Sequence, residues 1–129
     1  SLGGTSSRKR RGGYRDIARH ARSRVLLAAG AAGKAAIDAV HLDLADERGL
    51  RREASDAAAS GFAASACIHP GQVATIRAAY RPDAATVAWA RGLLAAAEGQ
   101  GGVFSHRGRM VDEPVLRHAR TVVARADAG

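Results

Sequence analysis

The chain has one cysteine, Cys67, three prolines, one methionine and, among its aromatics, two Phe, two Tyr and one Trp in 129 residues. A single cysteine excludes an internal disulfide and fits a reducing cytoplasm. Cys67 itself reads as a small apolar residue inside a buried strand. No apolar run approaches the roughly 18–20 residues of a membrane-spanning helix, and the opening residues carry no signal-peptide pattern. The expectation is a cytoplasmic protein. Few large side chains leave alanine to carry most of the 47% hydrophobic content, so stability should lean on helix packing or partner subunits. Ser1 at the start and Met110 as the sole Met predict a numbering that begins inside a longer product.

What is abundant is positive charge, concentrated at one end. Residues 1–24 hold eight Arg and Lys, including the run Arg8–Arg11, against Asp16 alone, a balance of +7. The remaining residues hold 12 cations and 11 acids. The high pI therefore describes one segment, and nucleic-acid binding through it is a minor alternative: aromatic interleaving is missing and the rest is near neutral.

The most organised stretch is 36–73. Apolar runs at Ala36–Leu44 and Phe62–Ile68 flank a polar segment closing on Ser60-Gly61. Ile37, Val40, Leu42 and Leu44 fall on both parities of the first run, as do Phe62, Ala64, Ala66 and Ile68 of the second. That pattern predicts strands buried on both faces, as in helix-covered parallel sheets. Leu50, Ala54, Ala57 and Ala58 recur at helical spacing between them. The prediction is an α/β unit in which 37–43 and 63–68 pair in parallel across a helix through Leu50–Ala59. Asp43 and Asp46 follow the first strand and Ile68-His69-Pro70 ends the second. The carboxyl ends of such strands are where ligands sit.

Around this core, Ser1–Gly13 reads as a Gly/Ser-rich basic loop. A helix from Tyr14 places Ile17, Ala21, Val25, Ala28 and Ala32 on one face, with Arg15, Arg19 and Arg22 opposite, and stops at Gly33. A short helix over Gly71–Tyr80 precedes an Arg81-Pro82-Asp83 break, with Asp83 as cap. Ala84–Glu98 is helical, with Val87, Ala90, Leu94 and Ala97 in one stripe widened by Trp89 and Leu93. Val103–Ser105 and Arg109–Val111 form a hairpin around Gly108. Asp112-Glu113-Pro114 opens the last helix, with Val115, Ala119, Val122 and Ala126 inward. His20, His41, His106 and His118 show no metal-ligand spacing and read as surface or packing residues.

The segments IDAVHLDLADERGL, GFAASACIHPGQV and VAWARGLLAAAEGQGGVFSHRGRMVDEPVLRHA together resemble the citrate lyase beta-subunit-like CoA-ester lyases of the HpcH/HpaI aldolase superfamily. The resemblance runs in order over nearly the whole chain. It rests above all on the Ile-His-Pro after a small-residue strand and on Gly-Arg-Met-Val-Asp-x-Pro-Val-Leu. It implies the C-terminal part of a (β/α)₈ TIM barrel, with strands seven and eight in residues 14–80. Residues 81–129 would be a C-terminal helical extension or lid, in proteins commonly assembled as trimers. It further implies cleavage or formation of carbon–carbon bonds in acyl-CoA thioesters of the malyl-, citramalyl- or citryl-CoA type, with Mg²⁺. The metal carboxylates and a substrate-holding Arg would fall upstream of Ser1, so no metal ligand is assigned here and the chain alone is expected to be inactive.

By that resemblance Asp112 is the catalytic candidate, matching the Asp offered to a neighbouring subunit's active site. From the residues alone it reads first as an N-cap, and the two roles are compatible. Ile68, His69 and Pro70 are expected to contact CoA or substrate, with Asp43 and Asp46 lining the same mouth. As a hard-metal pair, Asp43 and Asp46 lack the further oxygen ligands such an ion requires. The alternative to an enzyme is a non-catalytic remnant or assembly subunit acting through the extension. With two open strand edges, the isolated chain is expected to associate.

Overall fold

In the computed structural model, residues 14–128 are described. The basic run Arg8–Arg11 and the loop assigned to 1–13 lie outside them. The chain divides into two units at Tyr80/Arg81.

In the first unit, α1 (Asp16–Ala31) leads through Gly33, at φ +65°, to strand β1 (Ile37–Asp38). Helix α2 (Glu47–Ser60) follows, capped by Asp46 and ended by Gly61 in the left-handed region. Strand β2 (Ala64–Ser65) pairs with β1 in parallel, Ile37 opposite Ala64 and Asp38 opposite Ser65. A 3-10 turn (Pro70–Gln72) then runs into α3 (Val73–Tyr80). The predicted parallel pairing through a helix is present, but each strand is two residues long.

Burial departs from the expected pattern in three places. Ile37, Leu42, Leu44 and Ile68 are more than half exposed, whereas Asp38 is buried. Two-sided burial needs neighbouring strands and covering helices, and among the described residues this sheet has two strands only. Helix α1 is turned the other way about: Ile17 and Val25 are exposed, while Arg22, Leu26 and Ala29 face the unit. Cys67, expected inside a strand, is exposed and free; the ladder stops at Ser65, so nothing covers it from a partner strand.

The apolar interior of this unit is two small clusters. Ala36, Ala57 and Phe62 form one, and Leu50, Ala54 and Ile76 the other, with Tyr80 packed against both. The Tyr80 hydroxyl hydrogen-bonds Ser65 Oγ at 3.0 Å, which gives its polar tip a partner at the edge of the sheet.

The second unit is a helix pair with a hairpin between. Helix α4 (Ala84–Ala97) starts at Asp83, whose Oδ1 accepts the Thr86 N–H at 2.7 Å. Strands β3 (Phe104–His106) and β4 (Arg109–Val111) are antiparallel. Their two-residue loop, Arg107-Gly108, has φ of 48° and 75°, the positive pair of a type I′ hairpin turn. Helix α5 (Glu113–Asp127) packs on α4 around Ala90, Leu93, Val111, Leu116, Ala119 and Val122. Ala90 and Ala119 are wholly buried, so alanine lets the helices approach closely and Leu93 fills the space between. Among the described residues no helix is long and apolar enough to cross a membrane.

Candidate functional site

At the carboxyl end of β1 the chain gathers its chemistry-bearing side chains. His41 is buried, its Nδ1 2.9 Å from Glu53 Oε2 and its Nε2 3.6 Å from Asp46 Oδ2. Asp46 Oδ1 also accepts the Gly49 N–H at 2.8 Å, so one carboxylate serves both helix cap and histidine. A Cβ at residue 49 would overlap that carboxylate, which is why glycine stands there. Asp43 is spent on its own turn, accepting the Ala45 N–H at 3.0 Å.

Gln72 binds the two strand ends together. Its Nε2 donates to the His41 carbonyl at 2.9 Å, and its Oε1 accepts the Ile68 N–H at 3.0 Å. His69 Nδ1 accepts the Gly71 N–H at 3.0 Å, which requires that nitrogen to be unprotonated. His69 and Pro70 thus set the turn into α3 and remain exposed at its surface. Of the residues singled out in the sequence, Asp46, Ile68, His69 and Pro70 meet around one loop system. Its buried members, His41 and Gln72, and the half-buried Glu53 carry no such role in the sequence pattern. The available signal is Gln72, in the Gly-Gln-Val that follows Ile-His-Pro.

Beneath this edge lies a charge cluster that periodicity conceals. The Arg22 guanidinium forks onto Asp38, Nε to Oδ1 at 2.8 Å and Nη2 to Oδ2 at 2.9 Å, while Nη1 reaches Asp56 at 2.9 Å. Its carbon sits 4.7 Å from the Phe62 ring centroid and 5.5 Å from that of Tyr14. The bonds to Asp38 push the Arg22 pKa further above its already high value, against the opposing effect of burial. A permanently charged clamp of this kind fixes α1 to β1 and α2 and leaves no proton to exchange near neutrality. An aspartate inside the apolar run Ala36–Leu44 is the sign that a cation has to meet it.

In the second unit Asp112 caps α5, Oδ1 accepting the Val115 N–H at 3.2 Å. Val111 and Pro114, on either side of it in the chain, line a cavity of about 690 Å³ between the hairpin and the helices. Trp89 lines its apolar wall, and His106, Arg107, Arg109 and His118 contribute the polar groups. Among the described residues no three His, Cys, Asp or Glu side chains converge to hold a metal ion.

Residues 2–70, which include the strand–helix–strand unit and the His69-Pro70 turn, match the HpcH/HpaI aldolase/citrate lyase family. The chain belongs to that family. It is 56% identical over 126 residues to a citrate lyase subunit beta-like protein of Mycobacterium tuberculosis, covering 98% of this chain and 46% of that protein. It is 38% identical over 130 residues to the mitochondrial citramalyl-CoA lyase of Mus musculus, covering 98% of this chain and 37% of that enzyme. The crystal structure of the M. tuberculosis protein CitE in complex with magnesium, acetoacetate and coenzyme A superposes with a TM-score of 0.82, at 56% identity. That match covers 98% of this chain and 47% of the other. The chain thus spans less than half the length of these relatives, as a mixed α/β segment of the citrate lyase beta fold, mostly helical with small sheets.

Proposed function

We propose that this chain works as the C-terminal part of a Mg²⁺-dependent CoA-ester lyase, making or breaking a carbon–carbon bond in a malyl-, citramalyl- or citryl-CoA type thioester. The observation that carries the reading is the superposition, over nearly all of this chain, on a protein crystallised with magnesium, acetoacetate and coenzyme A. In this reading β1 and β2 are the seventh and eighth strands of a (β/α)₈ barrel, and residues 81–129 are an extension over a neighbouring subunit, in a trimer. In this reading the magnesium carboxylates belong to the N-terminal half of the whole protein.

What the chain's own residues contribute is positioning and a proton. The loop system braced by Gln72 presents Asp43, Asp46 and the Ile68-His69-Pro70 turn to the thioester at the barrel mouth. Asp112 commits Oδ1 to the Val115 N–H and has a second oxygen with which to move a proton at the reacting carbon. The cap holds that carboxylate in one orientation, so its structural role and its chemical role reinforce each other.

The experiment joins this chain behind the N-terminal half of the M. tuberculosis relative and assays citramalyl- and malyl-CoA cleavage with Mg²⁺. The 129 residues alone should be silent, and the joined protein should turn over. Asp112→Asn then separates the roles, because Asn caps a helix about as well as Asp but cannot carry the proton. The expected result is a large fall in kcat with an unchanged melting temperature. A variant with normal kcat leaves Asp112 as a cap alone, and cleavage by the unjoined chain overturns the reading. An assembly subunit without chemistry, acting through the C-terminal extension, is the second reading, favoured by the exposed Val103 and Met110 of that segment. It gains if the joined protein assembles but never turns over.

A further inference from the structure

The cavity of the second unit is built for a ligand of its own. About 690 Å³ falls inside the range of roughly 300–1,000 Å³ typical of small-molecule sites. Its wall is apolar, with Trp89, Leu93, Met110 and Val115 contributing, and Trp89 stands 5.9 Å from the His118 ring in a tilted pair. Its polar groups are all basic: His106, Arg107, Arg109 and His118, with no acidic residue in the lining.

Arg91 is paired with Asp127 and Arg120 with Glu113, each within 2.9 Å. Asp83 and Asp112 each commit Oδ1 to a helix cap. Arg107 and Arg109 form no ion pair among the described residues, although they flank Gly108 on one tight turn. Two arginines one residue apart on a tight turn, neither ion-paired among the described residues, favour an anion. The neighbouring ring surface favours a flat apolar body on the same molecule.

We infer that this cavity binds a planar aromatic anion, the ring against Trp89 and His118 and the negative group between Arg107 and Arg109. The site uses only side chains of this unit and so does not depend on the lyase reading. Two sources share that chemistry, a nucleoside phosphate and an aryl carboxylate, and the test distinguishes them.

The full chain is titrated by isothermal calorimetry at low salt with AMP, 1-naphthoate, neutral 1-naphthalenemethanol and inorganic phosphate. Saturable heat is expected with AMP or 1-naphthoate, whichever binds more tightly naming the source. The neutral ring and bare phosphate should each bind about tenfold more weakly or worse.

Arg107→Asn with Arg109→Gln should weaken the aromatic anion about tenfold or more. Asn-Gly is a favoured type I′ pair, so this double variant keeps the hairpin, as an unchanged melting temperature verifies. Arg91→Gln, which removes a cation elsewhere on the unit, should leave affinity within about twofold. Equal binding of the neutral ring, unchanged binding by the double variant, or no saturable response to either anion overturns the proposal.

Discussion

The two units solve the problem of a core poor in large side chains in opposite ways. The second is held by apolar contact: alanines bring α4 and α5 together, and Leu93 and Val111 seal the space between them. The first buries less and spends charge instead. Its two apolar clusters share Tyr80, and the Phe62 cluster is closed by a guanidinium that binds two carboxylates and lies near two aromatic rings. The difference teaches where an alanine-rich sequence can rely on packing and where it must use a polar clamp. Two helices can close on small residues from both sides, but a two-stranded sheet with one covered face cannot.

The comparison breaks most readily at Asp38. Asp38→Ala leaves the partly covered Arg22 without its forked partner, with only the exposed Asp56 still paired to it, and should cost about 3 kcal/mol, read from chemical denaturation. Replacing both partners, Arg22→Met with Asp38→Leu, should recover most of that loss, because a matched apolar pair avoids the stranded charge. If the single and double variants are equally unstable, the clamp is not what holds α1. In the second unit the corresponding change is Leu93→Ala, expected to cost about 3 kcal/mol through lost burial and a residual cavity. A cost below about 1 kcal/mol in the same denaturation experiment would mean that the helices collapse onto the gap.

Smaller effects sharpen the contrast. Gly49→Ala would gain helix propensity on an exposed site, yet here the new Cβ meets the Asp46 carboxylate. The net result should be a loss of about 1 kcal/mol as that cap is displaced, and a gain in melting temperature would show the cap to be dispensable. The smallest effect is at Asp83, whose carboxyl is held below its ordinary value of 3.8 by the Thr86 N–H. A carboxyl with a depressed folded-state pKa stabilises above its unfolded value and loses that contribution as pH falls through the folded one. Melting temperature should therefore fall less steeply below about pH 4 in Asp83→Asn than in the parent chain. Identical acid profiles would remove Asp83 from the account.

Signals that act over a few residues are legible in the amino-acid sequence. Asp83 and Asp112 ahead of apolar-periodic runs, Gly33 after one, and Gly108 between two short strands are of this kind, and each sits where its residue type places it. So does the parallel pairing of 37–38 with 64–65. What periodicity cannot give is direction. It says that Ile17, Val25 and Arg22 lie on different sides of α1, but the side that faces inward depends on what the helix meets. Here it meets Asp38, and an aspartate flanked by Ile37 and Ala39 outweighs the apolar stripe. The same holds at the site: Asp43, Asp46 and His69 are visible as residue types, while Glu53 and Gln72 join them only through contacts 12 and 31 residues apart along the chain from His41.

The clamp on α1 also has a thermal signature. Helix α1 contains no fully buried residue, so detaching it uncovers chiefly Phe62 and the small cluster around it, and apolar hydration is what gives unfolding its large heat capacity. The free energy of its local opening should thus vary almost linearly with temperature. The helix pair α4–α5, which exposes leucine and valine when it parts, should loosen along a curved profile. Amide hydrogen exchange followed between 5 and 35 °C and corrected for intrinsic rates would then show α1 opening with a free energy that falls along a straight line, while the protection of α5 rises to a maximum and falls away.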